Sequence, residues 1–286
     1  MSPAATLVSR ASAVLRLTRP LNLTGIGLCI ATSMKLGGSS WALETRDAVI
    51  VGGWVLLAAG GYVLDDVRDI ASDARFHPQR PIPSGLVPPG LAFLVAIGLL
   101  AAGAAALALA RRGLWAVGLA TALVLYGYGE RLKRVSGFAA NVTVSVLLAT
   151  AAVSGGLRWA RWPAVAALGL MTFSINVGRE IVMDIDDIDG DRELGYRTVP
   201  LTRGVSTARE LAACFLLFGA CSGYLLPMTG AVWPMGFTLG LTLANLALAR
   251  FVLAPLMAVC GETYRLAGLV KGAMFAYLVL IALLVR

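Results

Sequence analysis

Charged side chains are scarce in this chain. Of 286 residues, 24 are Lys or Arg and 16 are Asp or Glu, together 14%, where a water-soluble domain carries about a quarter. With 58% hydrophobic residues and a mean hydropathy of +0.79, this deficit excludes a surface facing water on all sides. Histidine occurs once, as His77, and reads as a loop residue rather than an acid–base catalyst. Cys29, Cys214, Cys221 and Cys260 lie in apolar stretches without zinc spacing, which reads as membrane-packed thiols. There is no long linker and no low-complexity tract. Arg10, Arg16 and Arg19 interrupt the N-terminal stretch, so no cleavable signal peptide is expected there. That stretch suits an amphipathic helix on the membrane surface. One membrane domain over residues 1–286 is expected.

What the chain does have is apolar length. A helix of about 20 apolar residues crosses a bilayer, and such segments run at 21–38, 47–65, 90–110, 114–129, 138–157, 163–183, 207–226, 231–249 and 267–285. An all-α membrane protein of about nine transmembrane helices is predicted; segment 114–129 is short and rich in Gly and Tyr, which leaves eight as the alternative count. Basic residues concentrate in alternate gaps, among them Arg68, Arg75, Arg80, Lys133 and Arg197. This positive-inside bias places those gaps and the N-terminus in the cytoplasm. The net charge of +8 thus reports membrane sidedness, and nucleic acid is not an expected partner.

Aspartate is the informative residue. Nine of the ten lie in two short stretches, Asp65, Asp66, Asp69 and Asp73 in the first and Asp184, Asp186, Asp187, Asp189 and Asp191 in the second. Each stretch ends an apolar segment on the predicted cytoplasmic side. Asp66, Asp69 and Asp73 share the i, i+3, i+7 spacing of one helix face, and Asp184, Asp187 and Asp191 repeat it. Ionised groups near the bilayer are costly, on the order of 3 kcal/mol each at full depth. Mg²⁺ would offset that cost, because it takes a few carboxylates, water and substrate phosphate oxygens. The spacing lacks the central Gly and terminal Glu of a calcium-binding EF-hand. Downstream, Asp73 leads to Arg75 and the RPIPSG run at Arg80–Gly85; Asp191 leads to Arg192, Arg197, Pro200 and Gly204. The chain therefore reads as two related halves, a plan that puts membrane-protein sites between repeats. Carboxylates beside arginines suit a metal-bridged polyphosphate.

At these residues the sequence resembles the UbiA superfamily of intramembrane prenyltransferases. The first family motif, N-D-x-x-D-x-x-x-D, stands here as Asp65-Asp66-x-x-Asp69-x-x-x-Asp73. The second matches at Asp184, Asp187 and Asp191 within GREIVMDIDDIDGDRELGYRTVP. Smaller matches are Arg19-Pro20-x-Asn22, Tyr126, Lys133, Asn176 and Arg179. RPIPSG and GDRELGYRTVP are most similar to the digeranylgeranylglyceryl phosphate synthase-like members. Asp65 replaces the family's Asn, which adds negative charge. Met183 replaces a frequent Lys, which removes positive charge.

The resemblance implies a ring of helices around a central cavity and Mg²⁺-dependent transfer of a prenyl group from a prenyl diphosphate. The acceptor would be lipophilic or phosphorylated, a lipid glycerol phosphate or an aromatic, quinone-type compound, taken within membrane lipid. Asp65, Asp66, Asp69, Asp73, Asp184, Asp187 and Asp191 are the candidate metal ligands. Asp66, Asp69, Asp184, Asp187 and Lys133 are the candidate catalytic set, supplying Lewis-acid stabilisation and charge at the leaving group. Arg68, Arg75, Tyr126, Lys133, Asn176 and Arg179 are the candidate diphosphate-binding residues. Tyr62, Tyr126, Tyr128 and Phe173 could face an allylic cation or serve as ordinary packing. Two alternatives stay open: a membrane terpene cyclase, for which Asp65-Asp66-x-x-Asp69 is a matching DDxxD pattern, and a transporter with acidic rings.

Overall fold

The computed structural model describes residues 3–39, 44–156, 161–258 and 264–286; within these the regular structure is helical. Cys260 lies outside the described residues, as does the side chain of Tyr128. The chain forms two compact units, Met1–Gly27 with Glu44–Arg131, and Leu28–Leu43 with Leu132–Arg286. One aspartate motif falls in each.

The first unit holds α1 (Pro3–Leu17), the start of α2 (Pro20–Gly37), α3 (Thr45–Arg68), the short α4 (Ile70–Phe76), α5 (Pro89–Ala110) and most of α6 (Leu114–Val135). The second holds the end of α2, then α7 (Gly137–Gly156), α8 (Trp162–Asp186), α9 (Ile188–Glu193), α10 (Val199–Arg203) and α11 (Val205–Ser222). It continues with α12 (Leu225–Met228), α13 (Pro234–Leu248), a π-turn at Ala249–Leu253, α14 (Ala254–Met257) and α15 (Tyr264–Leu284). Proline at the first turn opens α5, α8, α10 and α13, where its missing N–H costs nothing.

Each of the nine apolar segments overlaps a helix. Among the described residues, seven helices are long and apolar enough to cross a membrane. The segment at 21–38 is not among these seven: α2 carries Asn22, Thr24, Thr32, Ser33 and Lys35 within its 18 residues. The apolar part of α6, Leu114–Gly127, is short, because Glu130, Arg131, Lys133 and Arg134 follow it. Large apolar side chains such as Leu94, Leu109, Leu123 and Leu239 stand exposed on the helices. That surface suits lipid, and the protein is an integral membrane protein.

The same packing device recurs in the two units, directly behind the aspartates. In α3, a Cβ at Gly60 would meet Leu100 Cγ at 2.8 Å and the Ala96 carbonyl oxygen at 3.0 Å. In α8, a Cβ at Gly178 would meet Leu216 Cγ at 2.8 Å and the Ala212 carbonyl oxygen at 3.0 Å. The spacing from Gly60 to Asp66 equals that from Gly178 to Asp184. In return, a Cβ at Gly103 would lie 2.8 Å from the Leu57 nitrogen, and one at Gly219 3.0 Å from the Ile175 nitrogen. Lipid tails are as apolar as leucine, so such helices associate through close backbone approach at small residues. Each unit thus carries its aspartates on a helix clamped tightly to a partner, α3 to α5 and α8 to α11. The likeness of the halves extends from motif to packing register.

Candidate active site

Both motifs bend at their middle aspartate. The predicted carboxylate stripes assumed helices continuing past the apolar segments. Instead α3 ends at Arg68 and α4 begins at Ile70, with Asp69 between them at φ −83°, ψ 10°. Likewise α8 ends at Asp186 and α9 begins at Ile188, with Asp187 at φ −94°, ψ 12°. These are bridge-region conformations, frequent among active-site residues. The i to i−4 bonds survive each bend: the Asp69 and Asp73 N–H groups donate to the Asp65 and Asp69 carbonyls at 2.9 and 2.7 Å. The Asp187 and Asp191 N–H groups donate to Met183 and Asp187 at 3.0 and 2.9 Å.

In the first unit, Asp66 is buried in the last turn of α3. Its Oδ1 accepts a hydrogen bond from Arg19 Nη2 at 2.8 Å, and the Arg19 guanidinium lies 5.0 Å from the Tyr62 ring centroid. Arg19 has φ 54°, the one positive value at a non-glycine among the described residues, and it precedes Pro20. Such a conformation costs on the order of 1–3 kcal/mol, so the surrounding contacts hold Arg19 toward Asp66 against strain. Asp73 is buried in α4, and Arg80 Nη1 donates to both its oxygens, at 2.7 and 2.8 Å. The RPIPSG run makes this possible. It folds into successive turns, with Ser84 N–H bonded to the Arg80 carbonyl and Gly85 N–H to Ile82, and with Gly85 at φ 76°, a value glycine adopts without steric cost.

Arg68, a candidate diphosphate-binding residue, donates to the carbonyls of Leu125 and Tyr126 in α6 and lies 3.9 Å from Asp65. The Arg75 guanidinium stands 5.5 Å from the Phe76 ring centroid. The Tyr126 side chain is exposed.

In the second unit, Asp184 is buried, and its Oδ2 accepts from Asn141 Nδ2 at 2.7 Å. Asp191 is buried in α9, with the Thr198 hydroxyl beside its carboxylate. Burial pushes the Asp191 carboxyl up to about 6; the Lys133 cation pulls it down, and the Asp187 charge raises it again. Lys133 Nζ stands 5.6 Å from the Tyr196 ring centroid. The local backbone fixes this group, since Tyr196 N–H donates to the Asp191 carbonyl at 2.9 Å and Arg197 N–H to the Lys133 carbonyl at 2.9 Å. The Lys133 cation thus acts on the Asp191 carboxyl. Arg179 and Asn176 are engaged within the unit. Arg179 Nη1 pairs with Glu180 Oε1 at 2.7 Å, and the buried Asn176 donates through Nδ2 to Ser145 Oγ at 3.0 Å.

Among the described residues, no three His, Cys, Asp or Glu side chains gather into a ready cation cage. Mg²⁺ does not require one, because it keeps several waters and binds through one or two carboxylates plus substrate phosphates. Asn141 and the Arg80 partner of Asp73 were missed as site residues in the sequence. A lone amide inside the apolar segment 138–157 was the available signal for Asn141, since polar groups within the membrane are seldom idle.

Residues 26–258 match the UbiA prenyltransferase family. Over 251 residues, covering 87% of this chain and 90% of the relative, the sequence is 32% identical to digeranylgeranylglyceryl phosphate synthase of Methanopyrus kandleri. Among solved structures, one of digeranylgeranylglyceryl phosphate synthase in membranes aligns with a TM-score of 0.74 at 20% identity, covering 95% of this chain and 97% of that one. A UbiA homologue from Archaeoglobus fulgidus, bound to GPP and Mg²⁺, aligns with a TM-score of 0.67 at 16% identity, covering 94% and 99%. Matched over most of its length, this chain belongs to the UbiA prenyltransferase family.

Proposed function

We propose that the protein is a Mg²⁺-dependent prenyltransferase that moves a prenyl group from a prenyl diphosphate to a glycerol phosphate acceptor. The observation that carries this reading is the duplicated acidic motif: in each unit a buried aspartate lies in the last turn of a tightly clamped membrane helix, and a bend follows three residues on, at Asp69 and at Asp187. The family and the name of the relatives at about 30% identity support both donor and acceptor. In the first unit Asp66 and Asp69 would hold metal, with Asp65 and Asp73 completing the acidic set; in the second Asp184 and Asp187 would do so, with Asp191. Burial still holds the Asp191 carboxyl above its ordinary range despite the Lys133 cation and the Thr198 hydroxyl, which fits a carboxylate that a further cation would stabilise. When bound, Mg²⁺ supplies Lewis-acid stabilisation of the diphosphate leaving group.

The chain's own residues do the rest. Lys133 and Arg19 place positive charge beside the carboxylates, where the departing diphosphate gathers negative charge. Arg75 and Arg179, now paired locally, are the further cations available to it, while Arg68 braces α3 on α6. Asn176 and Tyr126 complete the polar surroundings. The donor C1–O bond breaks with its electron pair leaving on the diphosphate; the acceptor oxygen then bonds C1 and loses its proton. An apolar, lipid-embedded surround keeps water from intercepting the allylic cation.

The motifs and the N-terminus face the cytoplasm, and the protein resides in the cell membrane. Cysteine labelling at positions 84 and 286 should occur from opposite sides; labelling from the same side would refute this topology. For the reaction, purified enzyme is given radiolabelled geranylgeranyl diphosphate with and without geranylgeranylglyceryl phosphate. The expected product is a linear prenyl ether formed only with acceptor and abolished by EDTA. A cyclic hydrocarbon released without acceptor would replace this reading with a cyclase, and prenylation of an aromatic acceptor alone would replace the acceptor.

A further inference from the structure

A chain of polar groups, one link of which is the Asn141 main-chain carbonyl, runs between α7 and α8 through an otherwise apolar contact. Asn176 Nδ2 donates to Ser145 Oγ at 3.0 Å. Ser145 Oγ donates to the Asn141 main-chain carbonyl at 2.7 Å, bracing the backbone that carries the amide, and Asn141 Nδ2 donates to Asp184 Oδ2 at 2.7 Å. All four residues are almost fully buried, Asn141 at 3% exposure and Ser145 at 0%. We infer that Asn141, backed by Ser145 and Asn176, is a positioning residue that orients the Asp184 carboxylate for metal and diphosphate. This rests on the reading of Asp184 as a metal ligand.

Three observations carry the inference. A buried amide without partners is expensive, so retaining two of them on facing helices needs a reason; here the network terminates on the one carboxylate among its members. The direction of the bonds is also informative. Asn141 donates to a carboxylate oxygen, the arrangement by which residues around a metal site fix the orientation of a ligand. Finally, α7 is itself held in register. Gly137 N–H donates to the Arg197 carbonyl at 2.9 Å, and a Cβ at Gly137 would come within 2.6 Å of Thr198 Cα. Asn141 lies one turn beyond this anchor, so its amide reaches Asp184 from a fixed base. Asn176 thereby has a role in the site without touching substrate.

The test uses the full chain in detergent with Mn²⁺ as a spectroscopic stand-in for Mg²⁺, titrated by electron paramagnetic resonance with an unreactive thio-analogue of geranyl diphosphate. Transfer rate and thermal unfolding are followed in parallel. N141L, close in shape but without the amide donor, should raise the half-saturating Mn²⁺ concentration about tenfold and lower kcat similarly, in the range found when groups supporting a metal ligand are removed. N141Q, which keeps a donor, should recover part of both. S145A and N176L, one and two links further away, should shift the Mn²⁺ midpoint about two- to threefold; they also serve if N141L fails to fold. Wild-type Mn²⁺ binding in N141L, or in both S145A and N176L, overturns the inference, as does equal impairment of N141L and N141Q. D184N separates the two levels. If D184N binds Mn²⁺ as wild type does, the metal reading fails and the inference with it; if D184N is impaired while N141L is not, only the inference fails.

Discussion

Removing Arg80 tests how the RPIPSG turn serves the first aspartate motif. The Asp73 side chain is 5% exposed and that of Arg80 37%. In R80A the Asp73 carboxylate stays buried with its charge uncompensated. Stripping one partner from a fully buried ion pair costs about 3–5 kcal/mol, whereas a fully exposed pair is worth about 1 kcal/mol or less. With one partner buried and the other partly open to solvent, the cost lies between, at about 2 kcal/mol. D73N keeps the shape and one acceptor and loses the charge, for about 1 kcal/mol. The double variant R80A/D73N has no buried charge left, so it should be no less stable than R80A alone. A cycle of these three variants, measured by unfolding in mixed micelles of rising SDS fraction, should give a coupling of about 1 kcal/mol or more. Energies that add within about 0.5 kcal/mol, the tolerance for independent sites, would refute the pairing.

Chelation with EDTA should abolish binding of the thio-analogue and Mg²⁺ should restore it, in a filter-binding assay; D66A and D184A should each mimic chelation while remaining folded, and full metal-independent binding would argue for solvated loops. For Asp191, the folded pKa of about 6 lies above its ordinary 3.8. The ionised form is therefore disfavoured in the folded state, a penalty fully present above pH 6 and relieved as the pH falls through 6. Metal-free D191N should unfold at a higher temperature than wild type at pH 7.5, with the difference shrinking by pH 5; a difference that does not change with pH would refute this assignment. At Gly103, a Cβ would lie 2.7 Å from the Gly53 carbonyl oxygen, so G103V should push α3 from α5. Overpacking of this kind costs about 1–3 kcal/mol, readable as a lowered thermal midpoint, and an unchanged midpoint would show that the helices are not in contact there.

Much of this protein was legible from local pattern. Apolar runs near the bilayer length and a deficit of charge determined the membrane class, because lipid admits little else. The Asp66/Asp69/Asp73 and Asp184/Asp187/Asp191 repeat led to the family, although each motif bends at its middle aspartate and so does not form one straight helix face. The sequence also showed two halves, and the matching Gly60 and Gly178 contacts extend that likeness into packing. The count of transmembrane helices was less legible, because α2 and α6 dilute their apolar runs with polar and charged residues.

Which partner each charged side chain takes was decided only in three dimensions. Arg68 stands between two motif aspartates in sequence, yet its guanidinium reaches back to α6 carbonyls. Asp73 shares its motif with Asp66, yet the turn at Arg80–Gly85 gives it a cation of its own. Asn141 looked like one polar residue in an apolar helix until α7 and α8 packed and placed its amide 2.7 Å from Asp184. Sequence spacing determines which face of a helix a residue occupies. What that face meets depends on helices distant in the chain, and in a medium where unpaired polar groups are costly, that meeting selects the hydrogen bonds.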